Sequence, residues 1–264
     1  MKDNQTKILK ITLTIAASLV AIMGIVYAYD IYFDLNLYKY GVYPQKFSGL
    51  IGILTAPFIH STSGYSHLLN NSGPTFILTW LLFYNFRNIA PRVFIITFLG
   101  TGLLVWIFGR PSYHIGMSGV IYGLTSFLMV SGFLTKNVRV AGISLLVIFL
   151  YGSFIWGIFP QQNNVSWEGH FSGFTIGIFL AFFYRSELPQ QQKYRYEVEE
   201  ELGIEPEFEY WNETHSEKQG AGERDQPITP VHNDPIQVVY TFVPKEVKPK
   251  LDDHKTDQEE EYQE

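Results

Sequence analysis

Residues 115–134 read IGMSGVIYGLTSFLMVSGFL, twenty residues without a charge. A helix rising ~1.5 Å per residue needs ~20 mostly apolar residues to cross a hydrocarbon core ~30 Å thick, so this run is long enough to span a membrane. It opens on polar and small residues. Ser118 and Tyr122 lie one turn apart, and Gly119 and Gly123 form a small-xxx-small pair. Such pairs let a second helix backbone come close in lipid, where packing and not hydrophobicity drives association.

Reading outward, five further apolar runs stand at about residues 9–29, 67–86, 91–108, 139–159 and 168–185. The connections RNIAPR, RPSYH, TKNVR and PQQNNVSWEG are short and polar, and only the first, about 30–66, is long. Backbone in lipid finds no water to bond, so each span is expected to be α-helical throughout. The expected fold is an all-α membrane protein with six transmembrane helices in residues 1–185, followed by an acidic, mostly disordered tail over 186–264.

Whole-chain averages conceal this division. Mean hydropathy is +0.05 and net charge −6, values of an ordinary soluble protein. Residues 1–184 nevertheless hold ten Lys+Arg and four Asp+Glu, whereas 185–264 hold nine against twenty-one. One part is composed for lipid and the other for water. The absence of cysteine excludes a disulfide framework, a thiol nucleophile and a thiolate metal site. The apolar run Ile8–Tyr29 follows Lys2, Lys7 and Lys10. It exceeds the ~7–15 residues of a cleaved signal core and reads as an uncleaved first span.

Lysine and arginine orient the spans. An inside N-terminus puts Lys2, Lys7, Lys10, Arg87, Arg92, Lys136, Arg139, Arg185, Lys193 and Arg195 in the cytoplasm, leaving Lys39, Lys46 and Arg110 outside. That bias places both termini in the cytoplasm of a multi-pass cell-membrane protein.

Polar residues in such spans are costly and mark function or pairing. The second span opens HLLNNSGP with His67, Asn70 and Asn71, the fourth carries Ser118, and the sixth opens EGHFSGFTIG with His170. All three openings face the extracytoplasmic side. Gly173 and Gly177 follow His170 at i+3 and i+7, one face of one helix. If that face meets Gly119 and Gly123, Ser118 and His170 come together at the outer end of the contact. A hydroxyl beside an imidazole is the minimum of an activated nucleophile. Glu168, at the edge of the sixth span, is the single acidic residue near it, so a Ser-His dyad is the simpler arrangement. His67 and Asn71, one turn apart, and the Ser118 N–H are suitable oxyanion donors. Asn70 points about 100° away and is the second choice.

Three motifs in order, H-x-x-x-N at His67–Asn71, G-x-S-G at Gly116–Gly119 and H-x-x-G-x-x-x-G at His170–Gly177, resemble the rhomboid family of intramembrane serine proteases. The resemblance covers about residues 40–184. It implies that Ser118 is the nucleophile, His170 the base, and His67 and Asn71 oxyanion ligands. Tyr122 matches the aromatic on which the catalytic imidazole stacks. The first loop, with YGVYPQ and LTAPFIH, resembles a loop lying partly in the membrane as a lateral support. That loop lacks the Trp-Arg pair of many members, and the connection from the second to the third span lacks their usual acidic residue.

The implied partners are transmembrane protein substrates and the lipid bilayer, with no nucleic acid, metal or cofactor expected. A non-proteolytic relative that binds membrane clients is the alternative; such relatives usually lack the nucleophile or base. A transporter would show inverted repeats or charges along a pathway, and neither is evident. G-x-S-G differs from the hydrolase elbow, because position 120 is valine. His60 lies seven residues before His67, but the spans hold no clustered carboxylates to complete a metal site. His114 reads as an ordinary interfacial histidine and takes no role. In the tail, Ile236–Val243 has strand-like composition within a proline-broken, acidic stretch whose default is disorder.

Overall fold

Ten consecutive residues, Gly119–Leu128, are buried on every face of one helix, α4 (Ser118–Leu134), which other long helices surround. This computed structural model describes residues 2–160, 165–190, 198 and 201–203. The expectations for the tail from 204 onward, including the Ile236–Val243 segment, fall outside the described residues. Around α4 stand α2 (Ser66–Asn85), α3 (Ala90–Phe108), α5 (Val138–Tyr151) and α6 (Trp167–Phe183), with α1 (Lys2–Phe33) against α2. The described residues are all-helical apart from turns, loops and one isolated bridge. Three stretches, Asn4–Phe33, Ala90–Phe108 and Val138–Ile158, are long and apolar enough to cross a membrane.

Side chains on the outward faces agree with a lipid surround. Phe149, Phe133 and Phe108 are 85%, 74% and 76% exposed, an arrangement that water would penalise and acyl chains do not. Inside, Phe86 and Phe127 meet edge to face at 5.4 Å. Around them Leu78, Leu82, Leu124 and Leu128 close the core.

The contact of α4 with α6 is backbone on backbone. A Cβ added at Gly173 would overlap the Gly119 carbonyl oxygen, and one at Gly177 the Gly123 carbonyl oxygen. From the other side, a Cβ at Gly123 would lie 3.0 Å from the Gly173 oxygen. The Ser126 hydroxyl donates across the seam to the Phe174 carbonyl, 2.9 Å away. Small residues at a helix–helix contact in lipid serve this close approach.

The expectation of an α-helix through 139–159 is corrected. α5 ends at Tyr151, and Gly152–Ile158 continue as a 3-10 segment. Tyr151 leaves helical geometry (φ −129°, ψ 5°), and its ring packs with Phe154 at 5.3 Å. A 3-10 turn is longer per residue than an α-turn, and it carries the chain toward the head of α6.

The first connection is built of short helical turns, Leu37–Tyr40, Phe47–Ile51, Gly52–Thr55 and Ala56–Phe58. Asp30 is buried because its carboxylate accepts from the Leu37 N–H at 3.0 Å. Val42 and His114 exchange both backbone hydrogen bonds, at 3.0 and 2.9 Å, as an isolated antiparallel bridge. The Trp106 indole N–H donates to the Lys46 carbonyl at 2.9 Å. The loop is thus stitched to α3 and to the segment that precedes Ser118.

Candidate active site

Ser118 is the first residue of α4, so its N–H, like those of Gly119 and Val120, lies beyond the reach of an i−4 carbonyl. The chain reaches it through Gly116, whose φ of +104° is a backbone conformation side-chain-bearing residues rarely adopt. The Gly116 N–H donates to the Ala56 carbonyl at 2.8 Å, pinning the turn to the first connection.

His170 lies in the first turn of α6 and is 8% exposed. Its Nε2 stands 2.9 Å from Ser118 Oγ, and its Nδ1 stands 2.9 Å from the Gly157 carbonyl oxygen. A carbonyl can only accept, so Nδ1 carries the proton and Nε2 offers its lone pair to the hydroxyl. That tautomer is the one a general base needs. The orienting partner is therefore a backbone carbonyl, where many hydrolases place a carboxylate. Tyr122 stacks on the imidazole with centroids 4.1 Å apart and planes 5° from parallel, and Phe154 stacks behind Tyr122 at 5.6 Å.

Gly157 also shapes this site, which the sequence alone did not indicate. A Cβ there would overlap the Tyr122 hydroxyl and sit 3.2 Å from His170 Nδ1. Only glycine lets this carbonyl come so near the ring. Its signal in the sequence is weak, a lone glycine at the end of an apolar run.

His67 and Asn71 sit on one face of α2. The Ser61 N–H donates to His67 Nδ1 at 3.3 Å, leaving the proton on Nε2. A Cβ at Gly116 would lie 2.9 Å from that Nε2, so the donor stands against the turn that presents Ser118. Asn71 Nδ2 donates to the His67 carbonyl at 2.7 Å, which commits one of its two amide protons and leaves the other. Asn71 is 4% exposed, whereas Asn70 is exposed. Both line a cavity of about 810 Å³ together with Ser118, His170, His67 and Tyr122. His60 packs its ring against His67 at 5.0 Å. Burial, and then the neighbouring His67, lower its pKa to about 4, so it adds no charge beside that donor.

A serine at the head of one helix, a histidine at the head of its closest neighbour and a histidine and an asparagine on a third converge on one cavity among otherwise apolar helices. Residues 48–187 match the family described as the Rhomboid domain. The chain belongs to the rhomboid family. Its members are generally intramembrane serine proteases, and membership together with the apolar helices makes this a multi-pass membrane protein.

Over 152 residues this rhomboid is 35% identical to uncharacterized proteins of Mycobacterium tuberculosis and Mycobacterium bovis, and 30% identical to one of Mycobacterium leprae. The match takes in 54% of this chain and 62% of the first two relatives, or 59% of the third. The chain therefore matches less than two thirds of the length of these curated relatives.

Proposed function

We propose that this rhomboid is a serine endopeptidase that cleaves membrane-anchored proteins in or near a transmembrane segment by a Ser118–His170 dyad. The observation that carries the proposal is the 2.9 Å contact of His170 Nε2 with Ser118 Oγ, with Nδ1 held on the Gly157 carbonyl. As Ser118 Oγ attacks the scissile carbonyl carbon, its proton passes to Nε2. The imidazolium so formed is steadied by the Gly157 oxygen and the face of Tyr122. The Ser118 N–H, His67 Nε2–H and the uncommitted Asn71 amide proton are the donors for the oxyanion. Collapse expels the amine with the proton from His170, and a water activated by the same imidazole releases the acyl group.

In this reading six helices span the cell membrane, with both termini in the cytoplasm and the site opening outward. Residues 1–185 form the membrane domain and 186–264 an acidic cytoplasmic tail. The 810 Å³ cavity supports the access of water and an unwound substrate segment to a site below the outer surface. The test is cleavage of a transmembrane substrate by the purified protein in liposomes. Ser118→Ala and His170→Ala should each fall to background with unchanged thermal stability, and a fluorophosphonate should label wild type at Ser118. Cleavage retained by either variant would remove the dyad.

A further inference from the structure

Above the dyad lies a second hydrogen bond joining the same two segments. His114 Nδ1 stands 2.7 Å from Ser166 Oγ, and these residues are 52 apart in the chain, as are Ser118 and His170. Each member of the outer pair precedes its dyad counterpart by four residues. Ser166 is the N-cap of α6, accepting from the Gly169 N–H at 3.2 Å. Its hydroxyl thus has its proton free to give to Nδ1, while His114 Nε2–H donates to the Arg110 carbonyl at 3.0 Å. The backbone of His114 is bonded on both sides to Val42. One buried residue, 4% exposed, therefore ties together the first connection through its backbone, and the segment leading to Ser118 and the cap of the helix that carries His170 through its side chain. Burial lowers the pKa of this imidazole below its ordinary value, which favours the neutral form these bonds require. Arg110 reinforces the clamp, with Nη2 donating to the Val165 carbonyl at 2.7 Å and Nε 3.4 Å from Glu168.

Resting on the peptidase reading above, we infer that His114 is a positioning residue for the dyad, acting through Ser166 to fix the head of α6 against the head of α4. The glycine seam sets how near the two helices lie below the dyad, and the His114–Ser166 bond sets it above. With both in place, Ser118 Oγ and His170 Nε2 have little freedom to part. Without the upper bond the head of α6 can drift while its packed body stays, and proton transfer is lost sooner than substrate binding.

The experiment measures kcat and KM for a transmembrane substrate in liposomes, and the rate of fluorophosphonate labelling of Ser118, for full-length variants. His114→Ala and Ser166→Ala should each lower kcat and labelling by about 10- to 10²-fold, the range a misplaced reacting group produces, with KM nearly unchanged. The double variant should lose much less than the product of the two single losses, because the His114–Ser166 bond that each removes is shared. Ser166→Thr, which keeps the hydroxyl, and His114→Asn, whose amide oxygen stands where Nδ1 was, should recover most of the rate. If His114→Ala does not fold, the Ser166 variants and His114→Asn decide. Wild-type kcat in the folded single variants, multiplicative losses in the double one, or a change confined to KM overturns the inference. A wild type that labels at Ser118 yet cleaves nothing sinks the peptidase reading while labelling rates still judge His114. One that does neither sinks both.

Discussion

Glycines in two parts of the molecule are used in opposite ways. At the seam between α4 and α6, a Cβ at Gly119, Gly123, Gly173 or Gly177 would press into a facing residue, in each case including backbone. At Gly24 in α1 and Gly142 in α5, a Cβ would meet nothing within 4 Å. The first group fixes the separation of the two helices that carry Ser118 and His170. The second lies on helices that hold the outer boundary, where Phe149 and Leu145 are 85% and 64% exposed. Precision is concentrated where a hydrogen bond must survive, and the periphery is left loose.

The largest effect should come from forcing the seam. Gly173→Leu inserts a side chain where even a Cβ overlaps the Gly119 carbonyl. Proton transfer needs donor and acceptor ~2.6–3.2 Å apart, so cleavage should drop to background although both dyad residues remain. Thermal stability in detergent should fall as well, since close packing holds these helices. Thr175→Leu, on an exposed face of the same helix, should behave as wild type. Phe174 is a poorer control, because it is half-buried where Thr175 is exposed. Full activity in Gly173→Leu would undo the link between the seam and the dyad.

Next should come Gly157→Ala. Its methyl would collide with the Tyr122 hydroxyl, so the 3-10 segment must shift and His170 loses its fixed tautomer. Turnover should fall by about 10²-fold, as for a ~1 Å misplacement, with substrate KM little changed. A normal turnover number would mean that the Gly157 carbonyl is not needed to orient the ring.

Asn71→Ala should cost about 10²- to 10³-fold in kcat, the effect of deleting one oxyanion donor, while Asn70→Ala should cost little. The buried amide is the one held by the His67 carbonyl. The reverse ranking would reassign the donor on α2.

What was legible in the sequence follows from the range over which each signal acts. Apolar runs and small-xxx-small spacing are local patterns, so the helical class and the residues on the inner faces of α4 and α6 could be read directly. Ser118 and His170 stood out because polar side chains at the heads of apolar helices are costly unless they are partnered. Gly157 was not legible, because its role depends on α5 giving way to a 3-10 segment after Tyr151 and on which carbonyl of that segment meets His170. His114 looked like an interfacial histidine because its partner, Ser166, is 52 residues away. Asp30, a charge at the end of a span, was explicable only once its carboxylate met the Leu37 N–H.

The smallest effect has the opposite sign. Glycine in a helix interior is worth about 0.5–1 kcal/mol less than alanine, because it loses more backbone freedom on folding. Where no neighbour is displaced, alanine should recover that difference. Gly24→Ala and Gly142→Ala should therefore raise stability by about that amount in a reversible detergent unfolding experiment, with cleavage unchanged. At Gly177 the same substitution should lower stability, since its Cβ would overlap the Gly123 carbonyl and the Ser126 hydroxyl. The sign change between identical substitutions isolates contact from propensity, because propensity is common to all three sites. Were Gly177→Ala as stable as Gly24→Ala, the seam would have room to relax, and the separation of Ser118 from His170 would have to be set by the hydrogen bonds above it alone.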